Sequence, residues 1–518
     1  MMLRWLLGDR QSARAKVDAR EARAAAVAQL LARYDAAGLS QDTKNHWAAA
    51  DNLSAASANS RAVRDTLRRR SRYETANNSY ANGMVRTLAY HCVGTGPTLA
   101  IDQDTDFARE CEDRFGEWSE AVDLAGKLRT MREARARDGE VFGLLTTNPA
   151  IKNGVKLDLV PIECDRVTDP RLVGYSTGPS SYPGGEIQRR YNDGITYDAA
   201  GNPTTYTILD DHPGEIFYTA PTYRDVSAEF VLHWFRQDRP GQRRGIPEIT
   251  PALPLYAILR RYTLAVLTSA EVAAMMSLFL KTTSPAINPA SVDPYDLIDL
   301  QRNTMMTLPD GWDVQQLKAE QPTTTHDAFA STVLREIARC LDMPYSIAVG
   351  DSSKLNYSSG RLDHQTYHRA IGVDRVACER SILDRLFAAW FDEALLTPGL
   401  FAGRPDGPLR SSWDWPPFAH VDPRLEAEAT QIDLANGLTS LPSELAIRGR
   451  RWEAEFARAA RSLGVTVPEY QRLLRQRIFA AGGAPAENQS AGTQRPADDA
   501  EDDDMADDTS DEETAADA

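Results

Sequence analysis

The chain has 518 residues, too many for one core of ordinary size, so two to four domains or subdomains are expected. Hydrophobic residues make up 42% and charged residues 25%, which is ordinary globular usage and excludes a chain unfolded throughout. The formal net charge of −16 argues against a nucleic-acid partner only until it is located: residues 498–518 hold twelve carboxylates and no Lys or Arg, leaving −4 for everything before them.

Residues 10–37, rich in Ala, Arg and Leu at helical spacing, predict a helix, and 73–91 (YETANNSYANGMVRTLAYH) a second that ends at Gly94 and Gly96. From 139 the texture changes to short β-rich runs, EVFGLLTTN, VKLDLVPIEC, TTYTILD and EFVLHWF, with the hairpin signal YNDGITY among them. An arginine-rich turn follows, then about thirty residues of good helix formers with apolar positions on more than one face, running to the prolines of SPAINPASVDP. Beyond a compact segment at 290–325 with the turn LPDGWDV, a helix is expected to open near Thr325 as its N-cap. A polar loop at 344–361 and a long helix over 362–396 come next. After a linker rich in Pro, Gly and Trp, helices are expected near 422–436, 441–449, 451–463 and 467–479. The acidic, aromatic-free run at 498–518 reads as a disordered, solubilising tail.

Few motifs carry chemistry. The five cysteines (Cys92, Cys111, Cys164, Cys340, Cys378) are odd in number and scattered, which points to a reducing compartment and away from a disulfide or zinc scaffold. The opening MMLRWLLGDR has too short an apolar core for a signal peptide, and Arg260, Arg261 and Glu271 interrupt the longest apolar stretch, so no membrane span is expected. GxxxxGK[ST] is absent, and GTGPT at 94–98 offers a lone GxG followed by Pro97. His364 and His368 stand at i,i+4, the spacing of two zinc ligands on one helix face, but Gln365 occupies the place of the general-base Glu and no third ligand is evident. Ser352, Ser353 and Lys354 lack the S-x-x-K spacing of a nucleophile and its base. In HWFRQDRPGQRRGIPEI, residues 233–249, Arg236, Arg239, Arg243 and Arg244 surround a Pro-Gly turn; it reads as a structural or subunit-contact loop or as a DNA contact.

Four stretches in order are similar to the lambda-family phage portal proteins: RSRYETANNSYANGMVRTLAYHCVGTGP, HWFRQDRPGQRRGIPEITPAL, GDSSKLNYSSGR and SSWDWPPFAHVDPRLEAEATQIDLANGLTSLPSE. The resemblance spans about 60–465. It implies an α+β portal-protein fold: an N-terminal helical arm (1–60), a mixed α/β wing (61–249), a long-helix stem (250–283 and 325–343) around a small α/β clip (284–324), a tunnel loop (344–361), a long wing helix and linker (362–419), a helical crown (420–480) and an acidic tail (481–518).

The resemblance further implies a homo-oligomeric ring of about twelve subunits at one capsid vertex of the virion, assembled in the host cytoplasm. Its partners would be the terminase large subunit, the major capsid and scaffold proteins, a head-tail connector protein, and double-stranded DNA passing without sequence recognition. Ser352, Ser353, Lys354, Asn356, Ser358 and Ser359 would line the DNA channel, and Arg239, Arg243 and Arg244 would tie subunits together through carboxylates or touch DNA. No catalytic residue, cofactor, metal or membrane is implied. The rival readings are a metal-dependent hydrolase using His364 and His368, and a monomeric DNA-binding adaptor working through the arginine loop.

Overall fold

The computed structural model describes residues 50–103, 105–170, 191–215, 222–275, 279–282, 312–315, 325–353, 356–403, 405, 407–418, 423–447 and 452–481. It divides into two compact units, Met1–Trp415 and Pro416–Ala518. The helix expected at 10–37, the acidic tail and most of 284–324 lie outside the described residues.

Where one helix was expected over 73–91 there are two, α1 (Arg61–Asn77) and α2 (Ser79–Val93). The cause is Asn78, whose extended backbone breaks the run and whose side chain caps α2, accepting from the Tyr80 N–H at 3.0 Å. Gly94, at φ 58°, ends α2 as the glycine punctuation predicts. Strand β1 (Thr98–Ile101) leads into two helices that the sequence reading passed over, α3 (Asp106–Ala121) and α4 (Leu124–Asp138). On α3, Cys111, Phe115 and Trp118 recur at i, i+4 and i+7 and are all buried.

The β region is confirmed as two antiparallel sheets. Strands β2 (Glu140–Thr147) and β3 (Leu157–Ile162) pair, as do β4 (Tyr191–Asn192) and β5 (Ile195–Tyr197), then β6 (Pro203–Leu209) and β7 (Tyr223–Ser227), while β8 (Val231–Phe235) joins the free edge of β2. The orders are β3-β2-β8 and β4-β5-β6-β7. Between them lies a core of Phe142, Leu144, Ile162, Val167, Ile195, Tyr206, Ile208 and Val231. Strand β2 is buried on both faces, since Gly143 meets Leu159 and Met131 of α4 on the other side, where a Cβ would come within 2.6 Å of Leu159 Cδ1. The YNDGITY hairpin forms as read: Asn192 faces Ile195 across a two-residue turn with Asp193 at φ 41° and Gly194 at φ 87°, the left-handed pair of a type I′ turn.

After one 3₁₀ turn at Thr250–Ala252, helix α5 spans Leu253–Met275. The sequence reading carried this helix to 283, but Phe279–Thr282 forms strand β9, paired antiparallel with β10 (Trp312–Gln315). The β-prone residues Phe279 and Thr282 take a cross-strand partner ahead of the prolines expected to stop the helix. Helix α6 runs Thr325–Arg339, so Thr325 begins the helix rather than preceding it. A short α7 (Tyr345–Val349) precedes α8 (Tyr357–Cys378), which continues through a π-helical turn at Glu379–Leu383 into α9 (Asp384–Leu396). The linker hides β11 (Ser411–Asp414), which pairs with β1 across more than 300 residues of sequence. Phe115 and Trp118 of α3 pack on Trp390 of α9, and Phe115 also packs on Trp413 of β11, at ring-centroid distances of 5.1 to 6.3 Å.

The second unit contains the four expected short helices, α10 (Pro423–Ala435), α11 (Leu441–Ile447), α12 (Trp452–Leu463) and α13 (Val467–Ala481). Phe456 joins the last two, meeting Trp452 and Tyr470 edge to face at 5.4 and 5.5 Å.

Candidate functional site

The arginine turn does not present four arginines together. Arg244 points inward and is 1% exposed. Its Nε lies 2.8 and 3.0 Å from the two oxygens of Glu140, the first residue of β2, and its Nη1 donates to the Asp193 carbonyl. The carboxylates expected for Arg244 across a subunit boundary therefore lie in its own chain, because the loop packs against the start of β2 and the tip of the β4–β5 hairpin. Arg239 stays exposed and donates to the Leu53 carbonyl at 3.1 Å, while Arg243 lies over the Tyr197 ring, 4.2 Å from its centroid. Gln242 holds the turn, accepting from the Asp238 and Arg239 N–H groups and donating to the Arg244 carbonyl.

Two glycines allow this approach. At Gly245 a Cβ would sit 2.1 Å from the Gly139 carbonyl oxygen, and at Gly139, with φ 91°, one would sit 2.3 Å from the Ile246 carbonyl carbon. Backbone meets backbone here, and the Gly245 N–H donates to Glu140 Oε2 at 3.0 Å.

Glu140 is fully buried and also receives Arg68 of α1 and His233 of β8, the latter at 2.9 Å. Burial pushes its carboxyl up, but Arg244, the His233 hydrogen bond and Arg68 outweigh burial and hold it well below the usual carboxylate range. Burial pulls His233 down more than Glu140 raises it, so the imidazole is neutral near pH 7, and its Nε2 carries the proton that the ionised Glu140 accepts. Asp193, at the hairpin tip, pairs with Arg64 and accepts from Thr168 Oγ1 at 2.7 Å. Burial raises its carboxyl too, but Arg64 and Arg244 hold it at about 2. Sequence reasoning missed Glu140, Asp193, Arg64 and Arg68. The legible signals were Gly139, Gly245 and the Asp-Gly turn, which mark a close backbone approach and an inward-aimed carboxylate.

A second buried cluster sits beside the first. Arg132 of α4 reaches Asp374 of α8 at 2.6 Å and Glu248 at 3.0 Å, and Arg135 contacts the same two carboxylates. Glu248 lies just ahead of α5 and Asp374 near the C-terminal end of α8, so this four-charge cluster fixes the start of α5 and the end of α8 against α4. Both carboxyls are lowered, the two arginines outweighing burial.

The polar loop at 344–361 is shorter than expected. Gly350, at φ 74°, closes α7, and Asn356 caps α8, its Oδ1 accepting from the Ser359 N–H at 2.8 Å. Ser358 and Ser359 thus belong to the first helical turn, and the Asn356 side chain is engaged as a cap. Ser352 and Ser353 remain exposed, with the Ser353 N–H bonded to Asp351 Oδ1, while Lys354 lies outside the described residues. On α8, His364 and His368 meet edge to face at 6.0 Å. Burial first, then His364, His91 and Arg375, lower His368 to about 4. Among the described residues, no group of three or more His, Cys, Asp or Glu side chains is placed to hold a metal ion.

Helix α5 is buried at its root through Leu253, Tyr256 and Leu259, while Ile258, Leu264 and Leu267 are 52%, 57% and 60% exposed. It meets α6 where Tyr262 stacks on His326 and packs edge to face on Phe329. Among the described residues, no helix is long and apolar enough to cross a membrane.

The chain is similar to a protein named "Probable portal protein" from Halomonas phage phiHAP-1, 23% identical over 421 residues, covering 74% of this chain and 77% of that protein. Among solved structures, it is similar to a chain in the neck of an empty gene transfer agent particle (13% identity, TM-score 0.43, 75% of this chain and 93% of that one). It is also similar to an HK97-family phage portal protein from Corynebacterium diphtheriae (13% identity, TM-score 0.25, 59% and 83%). The description "Phage portal protein, lambda family" matches residues 42–375, and the chain belongs to that family.

Proposed function

We propose that this portal protein assembles as a ring of about twelve copies at one capsid vertex, through which terminase drives double-stranded DNA inward and from which DNA later leaves. The observation that carries the ring is the apolar surface of α5. Leu264 and Leu267 are more than half exposed on one side of a helix whose root is anchored by Tyr256, and Ile258 is more than half exposed on the opposite side, so α5 leaves apolar surface uncovered in more than one direction. Neighbouring copies would cover it. In this reading 61–249 is the wing, α5 and α6 the stem, the segment around β9 and β10 the clip that meets terminase and the connector protein, and α10–α13 the crown.

The reading also gives the buried charges a task. The Arg132, Arg135, Glu248 and Asp374 cluster would carry load from stem root to wing, so that subunits keep their geometry while DNA moves. Ser352 and Ser353, exposed between α7 and α8, would offer hydroxyls that touch phosphate and sugar without reading bases. Scaffold and shell proteins would bind the outer surface of the ring during assembly in the host cytoplasm.

The test is genetic complementation. A phage whose copy of this reading frame carries an early stop codon should yield shells without packaged DNA, and this chain supplied in trans should restore filled particles. Filled, infectious particles made without the chain would refute the proposal.

A further inference from the structure

The second unit places a basic helix close in sequence to the acidic run. On α13, Arg472, Arg475 and Arg477 are all exposed, and Arg461 is exposed at the end of α12, which packs on α13 through Phe456 and Tyr470. Among the described residues none of these four arginines has a carboxylate partner; Arg461 donates only to the Ala457 carbonyl of its own helix. Arg458, one turn earlier, differs in being paired with Glu455 at 2.8 Å. The helix dipole accounts for none of the three arginines of α13, whose last turn holds no basic residue, since a cation gains little farther from the helix end.

Sixteen residues, 482–497, separate the end of α13 from Asp498. At about 3.5 Å per residue they span up to about 55 Å, more than twice the length of a fifteen-residue helix, so residues 498–518 can reach any point on α13. Those residues carry twelve carboxylates and no cation, and tethering raises their local concentration at the helix to the millimolar range. We infer that residues 498–518 dock on the exposed arginines of α12 and α13 as a tethered polyanion, covering them until a denser polyanion, the duplex DNA of the function proposed above, displaces them. The association is electrostatic: several arginine-carboxylate contacts that exchange among themselves, with the remaining carboxylates solvated.

The experiment uses the full chain carrying a nitroxide label on Ser510→Cys. Four of the five native cysteines are buried, and the unsubstituted chain, treated with the label, serves as the blank for Cys340. At low salt the label should show a slowly tumbling component. Arg472→Gln/Arg475→Gln/Arg477→Gln in the same chain should raise the mobile fraction at least twofold, as should 1 M salt, with the far-ultraviolet circular dichroism unchanged. A thirty-base-pair duplex should release the label in the same way. A label equally mobile in wild-type and substituted chains overturns the docking, and one that duplex fails to release overturns the displacement. The spectrum reads the same contact in a monomer or in a ring, so failure here leaves the ring proposal untouched.

Discussion

Arg244 and Glu140 are 104 positions apart in sequence and meet in the interior, with Arg244 Nε 2.8 and 3.0 Å from the two carboxylate oxygens. Glu140 also receives Arg68 and His233, so one carboxylate joins α1, β2, β8 and the loop that leads to α5. Such a carboxylate is replaceable only together with its partners. Glu140→Gln leaves Arg68 and Arg244 buried without their shared counter-charge, and the expected loss is about 3–5 kcal/mol of unfolding free energy. Urea denaturation of the two proteins measures it; a loss below about 1 kcal/mol would mean that the network is solvated.

The two glycines give a sharper contrast. Gly245→Ala must move the Gly139 carbonyl, 2.1 Å from the new Cβ, so it should destabilise the protein by several kcal/mol and disturb the arginine loop. Gly116→Ala, inside α3 with nothing within 4 Å of the new methyl group, should stabilise it by about 0.5–1 kcal/mol. Thermal unfolding of the pair separates close backbone approach from general intolerance of glycine replacement.

Stability should fall on acidification in two stages. His233 is lowered in the folded state, so below about pH 6.5 the unfolded chain binds the extra proton and stability drops. The lowered carboxyls of Glu140, Asp193, Glu248 and Asp374 stabilise above their unfolded values, and that contribution is lost as pH falls below about 4.5 towards their folded values. His233→Gln keeps a side-chain donor for Glu140 and removes the titration. The urea midpoint of that variant should change less between pH 7.5 and 5.5 than that of the wild type; an equal change would place the first stage on other groups, such as His91 and His368.

These charges mark the limit of what could be read from sequence. Periodicity and turn chemistry located the β region, the Asp193-Gly194 hairpin and the four short helices of the second unit, because those signals are local. Arg244 and Glu140 were opaque because a buried ion pair is written in the same letters as a solvated one, and its partners are brought together by the fold. The end of α5 was overrun because Phe279–Thr282 takes its strand partner from Trp312–Gln315, beyond any local window. Asn356 was legible in principle: an Asn ahead of Ser359 is a cap signature, and reading it as a loop residue cost the first turn of α8.

That cap has a measurable consequence. Asn356→Ala removes the acceptor for the Ser359 N–H and should destabilise the start of α8 by about 1 kcal/mol. Hydrogen exchange should accelerate roughly fivefold at Ser359 and its neighbours, with little change in β2. Equal acceleration in both would show that the first turn of α8 opens only with the whole unit.

The ring itself is tested most directly by particle mass, measured by light scattering with electron microscopy, on the chain recovered from co-expression with scaffold and shell proteins. The expected result is a particle of about twelve times the 57.3 kDa chain with a central channel, reduced to single folded chains by Leu264→Asp/Leu267→Asp on the exposed face of α5. A wild-type chain that remains at 57.3 kDa under those conditions, or rings that survive both substitutions, would contradict assembly through α5.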